Sequence, residues 1–133
     1  MKRGCTQIRC LRDGKRAIYI DDANADVIKE YICKDSRHQK KFKHICDIIL
    51  EGLRNRELYD KEDINDKCKD VTVMKLFKGQ ENDRIYCKEI KTEQGIHVVI
   101  TCELLERKKT KKLTQREISI IEKVAKYEYK IDK

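Results

Sequence analysis

Proline is absent from this chain, and glycine occurs only five times in 133 residues. No Pro- or Gly-rich stretch divides the sequence, so nothing marks a linker between two domains. A length of 133 residues fits one domain of ordinary size, residues 1–133. Long apolar runs are missing as well. No segment approaches the roughly 20 apolar residues of a membrane-spanning helix. Met1 to Arg16 carries cations without an apolar stretch behind them, so no secretory signal is expected there. These absences set membranes aside as partners and make the cytoplasm the expected compartment. Several enzyme signatures are also lacking: a glycine-rich phosphate loop, a GxSxG elbow and an HExxH helix. The acids are scattered, which gives no support to a paired-carboxylate site.

Cysteine is the exception to this sparseness, with seven: Cys5, Cys10, Cys33, Cys46, Cys68, Cys87 and Cys102. The number is odd, no CxxC occurs and nothing points to export, which argues against a disulfide framework. Cys33, His38, His44 and Cys46 come nearest to a metal pattern, but their spacing matches no usual zinc arrangement. Neither metal nor cofactor is expected. Cys46 and Cys102 fall on apolar faces, where a reduced thiol acts as a small hydrophobe.

What is present is charge. Charged residues make up 42 % of the chain and apolar residues 39 %, so the expected core is lean beneath a charged skin. Both signs are interspersed, which favours a fold over disorder. A chain this long buries roughly two-thirds of its unfolded surface and folds without staples. The formal net charge of +8 raises affinity for nucleic acid, anionic lipid or an acidic protein.

The periodicities predict an α+β domain. After a polar start over residues 1–15, read as a flexible N-terminal extension, Arg16 to Ile20 is a short β-rich run. Asp21 and Asp22 stop it and offer a cap. Val27, Ile28, Tyr31 and Ile32 have helical spacing within Ala23 to Lys34, and Ser36 offers a second cap. Phe42, Ile45, Cys46, Ile49, Leu50 and Leu53 then form a continuous helical stripe, with Gly52 and Asn55 near its end. The two helices read as a hairpin. Arg54 to Asp70 reads as an exposed connection. Val71 to Phe77, Arg84 to Ile90 and Ile96 to Leu104 are strand-like and closely spaced, which predicts an antiparallel meander. In the last of these, Ile96, Val98, Ile100 and Cys102 share one face and His97, Val99 and Thr101 the other. Thr114-Gln115-Arg116-Glu117 is a capping box that opens a final helix to about Tyr127. The expected architecture is a small antiparallel sheet with an N-terminal helical hairpin and a C-terminal helix, in the order β-α-α-β-β-β-α. Its helices are expected mainly on one face.

Two features carry possible chemistry. Arg107, Lys108, Lys109, Lys111 and Lys112 form a cationic run with no acid, interrupted only by Thr110. Like charges so close repel one another, whereas a phosphate backbone rewards each of them with counterion release. In the meander, Arg84, Lys88 and His97 are expected to share one face or edge leading to that run. A histidine base beside cations is suited to cutting RNA, taking a proton from a ribose 2′-hydroxyl while cations stabilise the phosphorane. RNA supplies its own nucleophile, so the reaction needs no metal. Cations beside Cys87 are expected to lower its thiol pKa. Tyr127 and Tyr129 could stack on a base, although tyrosines there more often cover a core edge.

The stretches Arg84-Ile85-Tyr86-Cys87-Lys88-Glu89-Ile90, Gly95-Ile96-His97-Val98-Val99 and Leu104 to Thr114 resemble the RelE/ParE toxin superfamily, nearest to its HigB-like and phage-derived branch. The resemblance covers about the last sixty residues by motif and the first half by element order only. It implies a RelE-like fold and a type II toxin: an endoribonuclease cutting mRNA on the ribosome, neutralised by a cognate antitoxin that covers its basic surface. Lys88 would match a basic strand position of the active face. Lys108, Lys109, Lys111 and Lys112 would match the basic loop, and Tyr127 a C-terminal tyrosine. His97 stands where many members have arginine, and Ile96 where an aromatic is usual. The alternative is a non-catalytic member, either a ParE-like target inhibitor acting through the helical hairpin or a module that binds nucleic acid or protein without cutting.

Overall fold

The computed structural model describes residues 2–62, 64–78, 80–106 and 114–131. It is an α+β structure in which a curled sheet is covered by helices on both faces. The strands are β1 (Arg3–Cys10), β2 (Arg16–Asp21), β3 (Tyr59–Lys61), β4 (Val71–Leu76), β5 (Asp83–Lys91), β6 (His97–Leu105) and β7 (Tyr129–Lys130). The helices are α1 (Ala25–Ile32), α2 (Ser36–Leu50) and α3 (Gln115–Lys126), and a 3-10 turn spans Asp66–Cys68. Strand order across the sheet is β3-β4-β5-β6-β2-β1-β7.

The expected meander is there: β4 pairs antiparallel with β5, and β5 with β6. The sheet as a whole is not antiparallel, however. The helical hairpin returns the chain to the end of the sheet where β2 began, and β2 lies parallel to β6, with Arg16 opposite His97 and Ile20 opposite Thr101. The polar start is not a loose extension. Arg3–Cys10 pairs antiparallel with β2 on one side, and its first residues pair parallel with β7. The expected exposed connection holds the short strand β3, paired with β4, and the 3-10 turn, whose Cys68 is buried. The order and strand count therefore differ from the expected β-α-α-β-β-β-α, because β1, β3 and β7 are added to it.

Helices on both faces also correct the one-sided expectation. Ile28 and Tyr31 of α1, with Phe42, Ile45, Cys46 and Ile49 of α2, pack against Ile18, Ile20, Met74, Leu76, Ile85 and Val99. Ile121 and Val124 of α3 pack against the alternate residues Ala17, Tyr19, Val71, Val73, Tyr86 and Ile100. Successive strand residues point to opposite faces, so Arg16–Asp21 and Val71–Leu76 are buried nearly throughout because both faces are covered.

Helix ends follow local chemistry. Asp35, one residue before the expected Ser36, caps α2 by accepting from the His38 N–H at 2.8 Å. Gly52, at φ +70°, lets the chain leave α2. Its N–H donates to the Ile49 carbonyl at 3.1 Å and that of Leu53 to the Ile48 carbonyl at 3.0 Å, the paired bonds of a Schellman ending. The capping box of α3 forms as expected, with the Glu117 N–H donating to Thr114 Oγ1 at 3.2 Å and the Thr114 N–H to Glu117 Oε1 at 3.3 Å. Among the described residues no helix is long and apolar enough to cross a membrane.

Candidate functional site

The structure separates the three residues expected to act together. His97 begins β6, and its Nε2 lies 3.3 Å from Glu89 Oε2. Glu89 and Lys88 are neighbours on β5 and so project from opposite faces. Lys88 reaches the α3 side instead. Its Nζ donates to the Ala125 carbonyl at 2.9 Å and also to that of Tyr127. A cation there satisfies carbonyls left open where α3 ends. Arg84 sits near the other end of the sheet. His97 pairs with Lys91 and Arg84 with Leu105, and the seven steps from Arg84 to Lys91 span about 23 Å. Arg84 is also buried, with one guanidinium N–H donating to the Asp83 carbonyl at 3.0 Å. Arg107, Lys108, Lys109, Lys111 and Lys112 lie outside the described residues. Glu106 and Thr114, which flank that run, are described.

Lys88 and Tyr127 do come together, beside a cluster that the sequence did not disclose. An irregularity between β5 and β6 places Tyr86 opposite Glu103 and Cys87 opposite Thr101, leaving Cys102 as the extra residue. A bulge of this kind re-aims side chains. Cys102 Sγ lies 3.1 Å from the Tyr129 hydroxyl, while Glu103 Oε2 accepts from the Tyr127 hydroxyl at 2.5 Å. The same Glu103 oxygen accepts from Asn24 Nδ2 at 2.8 Å and has Lys123 Nζ 3.9 Å away. The Arg3 guanidinium lies on the Tyr127 ring, 3.9 Å from its centroid. Residues from β1, the turn before α1, β6, α3 and the tail thus converge around one carboxylate whose side chain is 18 % exposed.

Arg3 links this cluster to a buried one. Asp21, fully buried, accepts from Arg3 Nε at 2.7 Å, the Tyr129 hydroxyl at 2.5 Å and the Ala23 N–H at 2.8 Å. Burial alone would raise the Asp21 pKa, but the hydrogen bonds from Arg3 and Tyr129 outweigh it and hold the carboxyl below its ordinary value. Burial and the bond to Glu103 raise the Tyr127 pKa, so its hydroxyl stays a donor. Tyr127 is covered, at 8 % exposure. Its ring serves Arg3 and the core, not an incoming base.

The thiol expectation also reverses. Cys87 is wholly buried, and burial pushes its pKa well above the ordinary thiol value despite Lys88 next to it in sequence. Of the four residues nearest to a metal pattern, His38 and Cys46 are buried while Cys33 and His44 are exposed. Among the described residues no group of three or more His, Cys, Asp or Glu is placed to hold a metal ion.

One sequence signal pointed toward the cluster. Asp21 and Asp22 end β2, and a buried run broken by two acids asks for partners; those partners lie in segments too polar to read as strands. The chain matches no family model, no curated protein and no solved structure.

Proposed function

We propose that this chain is an RNA-directed toxin of the RelE/ParE kind, a metal-independent endoribonuclease that cuts mRNA on the ribosome and is neutralised by an antitoxin covering its basic surface. The motif resemblance over residues 84–114, the net charge of +8 and the run of β2, α1, α2, β4, β5, β6 and α3 support this reading. The observation that carries its chemistry is the Glu103 cluster, a partly exposed carboxylate with a phenol and an amide bonded to it, Lys123 Nζ 3.9 Å away and the Arg3 guanidinium on the face of that phenol's ring.

In this reading Glu103 takes the proton of a ribose 2′-hydroxyl. The 2′-oxygen attacks phosphorus, the bond to the 5′-oxygen breaks, and the leaving oxygen takes a proton from water. A 2′,3′-cyclic phosphate and a 5′-hydroxyl result, and Arg3 and Lys123 stabilise the charge on the phosphorane. Tyr127 and Asn24 hold the carboxylate, Lys88 fixes the end of α3 that carries Tyr127, and the run from Arg107 to Lys112 binds flanking phosphates. His97 stands outside the chemistry.

The test is induced expression with primer extension on abundant mRNAs. Wild type and His97→Ala are expected to arrest growth and produce cuts, whereas Glu103→Gln loses cutting by a factor on the order of 100 or more. Cuts that survive in Glu103→Gln but vanish in His97→Ala would return the base to His97. Arrest without cuts favours a second reading, a non-catalytic target inhibitor, which the separation of Lys88, His97 and Arg84 also supports.

A further inference from the structure

The outer side of α2 carries a stripe of basic residues, of which Arg37 is ion-paired with Glu81. Arg37, Lys40, Lys41 and His44 recur at helical spacing and line an open cleft of about 550 Å³, whose far wall is the turn after β4 with Phe77 and Gln80. Arg37 is held there: its guanidinium meets Glu81 at 3.0 and 3.1 Å and Gln80 at 2.5 Å. Lys41 Nζ stands 5.9 Å from the centroid of the Phe77 ring. Elsewhere on this helix Asp35 is engaged with His38, and Asp47 with Arg9 and Lys43. Among the described residues no acid lines the cleft, and Lys40, Lys41 and His44 have no ion-pair partner.

The wall opposite is built under strain. Phe77 has φ +56° and Asn82 φ +55°, the left-handed region that costs a side-chain-bearing residue about 1–2 kcal/mol. The N–H groups of Gln80 and Asn82 both donate to the Phe77 carbonyl at 3.0 Å, which fixes the turn. This conformation holds the Phe77 ring against His38, centroids 4.9 Å apart, and beneath the Arg37 guanidinium at 3.8 Å. A strained aromatic that places a guanidinium at the mouth of a cation-lined cleft is a reason to look for function. Arg37 is 44 % exposed, so the plane lying on Phe77 keeps a face open for stacking.

We infer that this cleft is a phosphate-ester site for one nucleotide unit, with Lys40, Lys41 and His44 on the phosphate and Arg37 under the base. It lies on the helical-hairpin face of the sheet, away from the Glu103 cluster, and it does not depend on RNA being cut there. The phosphate ester could belong to an RNA strand crossing the hairpin or to a free nucleotide.

The test compares wild type, Lys40→Ala/Lys41→Ala/His44→Ala and Glu103→Gln in two assays. One is fluorescence anisotropy with a labelled 12-nucleotide RNA across a salt series; the other is AMP titration followed by NMR. All three substituted positions of the triple variant are on the surface, and an unchanged melting temperature verifies its fold. If the source is a strand, the triple variant binds RNA on the order of tenfold more weakly, and its log–log salt slope falls by about 0.7, the loss expected for one phosphate contact on a single strand. If the source is a free nucleotide, AMP shifts resonances of Lys40, Lys41 and His44 in wild type, the triple variant loses the response, and its RNA affinity stays unchanged. The inference is overturned when the triple variant matches wild type in both assays. Glu103→Gln is expected to bind like wild type, so failure of the nuclease reading and failure of this one give different results.

Discussion

Two charged regions of this molecule treat their ions in opposite ways. Around Asp21 every formal charge has a partner: Arg3 is paired with Asp21, Tyr129 donates to the same carboxylate, and the Tyr127 ring lies against the guanidinium. On α2, Lys40, Lys41 and His44 line a cleft that has no acid among its described lining residues. The first arrangement is what folding requires, since a buried carboxylate must be compensated. The second costs the fold a little through repulsion between like charges, so its rationale lies in something the protein meets.

Substitutions can break this contrast, and the largest effect is expected at Asp21. Asp21→Asn removes the charge that Arg3 and Tyr129 address, at a cost of about 3 kcal/mol, or roughly 10 °C in the melting temperature. The pH dependence gives a sharper check. A carboxyl held below its ordinary pKa stabilises the fold at every pH above the unfolded value near 3.9, and that contribution is lost as pH falls through the lower folded value. Melting curves of wild type and Asp21→Asn should therefore differ most near neutrality and converge in acid. A constant gap down to pH 2 would show that the carboxylate charge is not what stabilises the wild type.

Next in size is Thr114→Ala, which removes the α3 capping box and is expected to cost about 1 kcal/mol in thermal or denaturant unfolding. Gly52→Ala should cost a similar amount, about 1 kcal/mol. The glycine has φ +70°, and an added Cβ would stand 3.0 Å from the Arg16 guanidinium. At the small end, the triple substitution in the α2 cleft is expected to stay within about 0.5 kcal/mol of wild type while losing its ligand. A cleft variant as destabilised as Asp21→Asn would erase the contrast.

The sequence made the meander, α2 and the α3 capping box legible because each has a local signal: alternation, a 3.6-residue stripe, or Thr114 three residues before Glu117. It concealed β1 and β7 because their stability is not local. Arg3–Cys10 has no fully buried residue and reads as polar, and it is a strand only because β2 and β7 lie on either side of it. Two-sided burial did leave a trace, since Ala17 to Ile20 and Val71 to Met74 do not alternate apolar with charged residues. The candidate site was harder to read than the fold. Lys88 and His97 looked adjacent in a hairpin, but their positions relative to each face were fixed by the register of β5 on β6, and the bulge that turns Glu103 toward Tyr127 has no sequence marker.

The pairing of β1 with β7 also has a consequence for assembly. Cys5 Sγ lies 3.6 Å from the carbonyl of Lys130, 125 positions later, and β2 finds β6 across some eighty residues. Contacts this distant in sequence raise the contact order and slow the search. During synthesis the hairpin of α1 and α2 can coil early, but β2 must wait for β6. The strand that closes the seam at Arg3 follows β6 and α3 in the chain, so that seam forms after them.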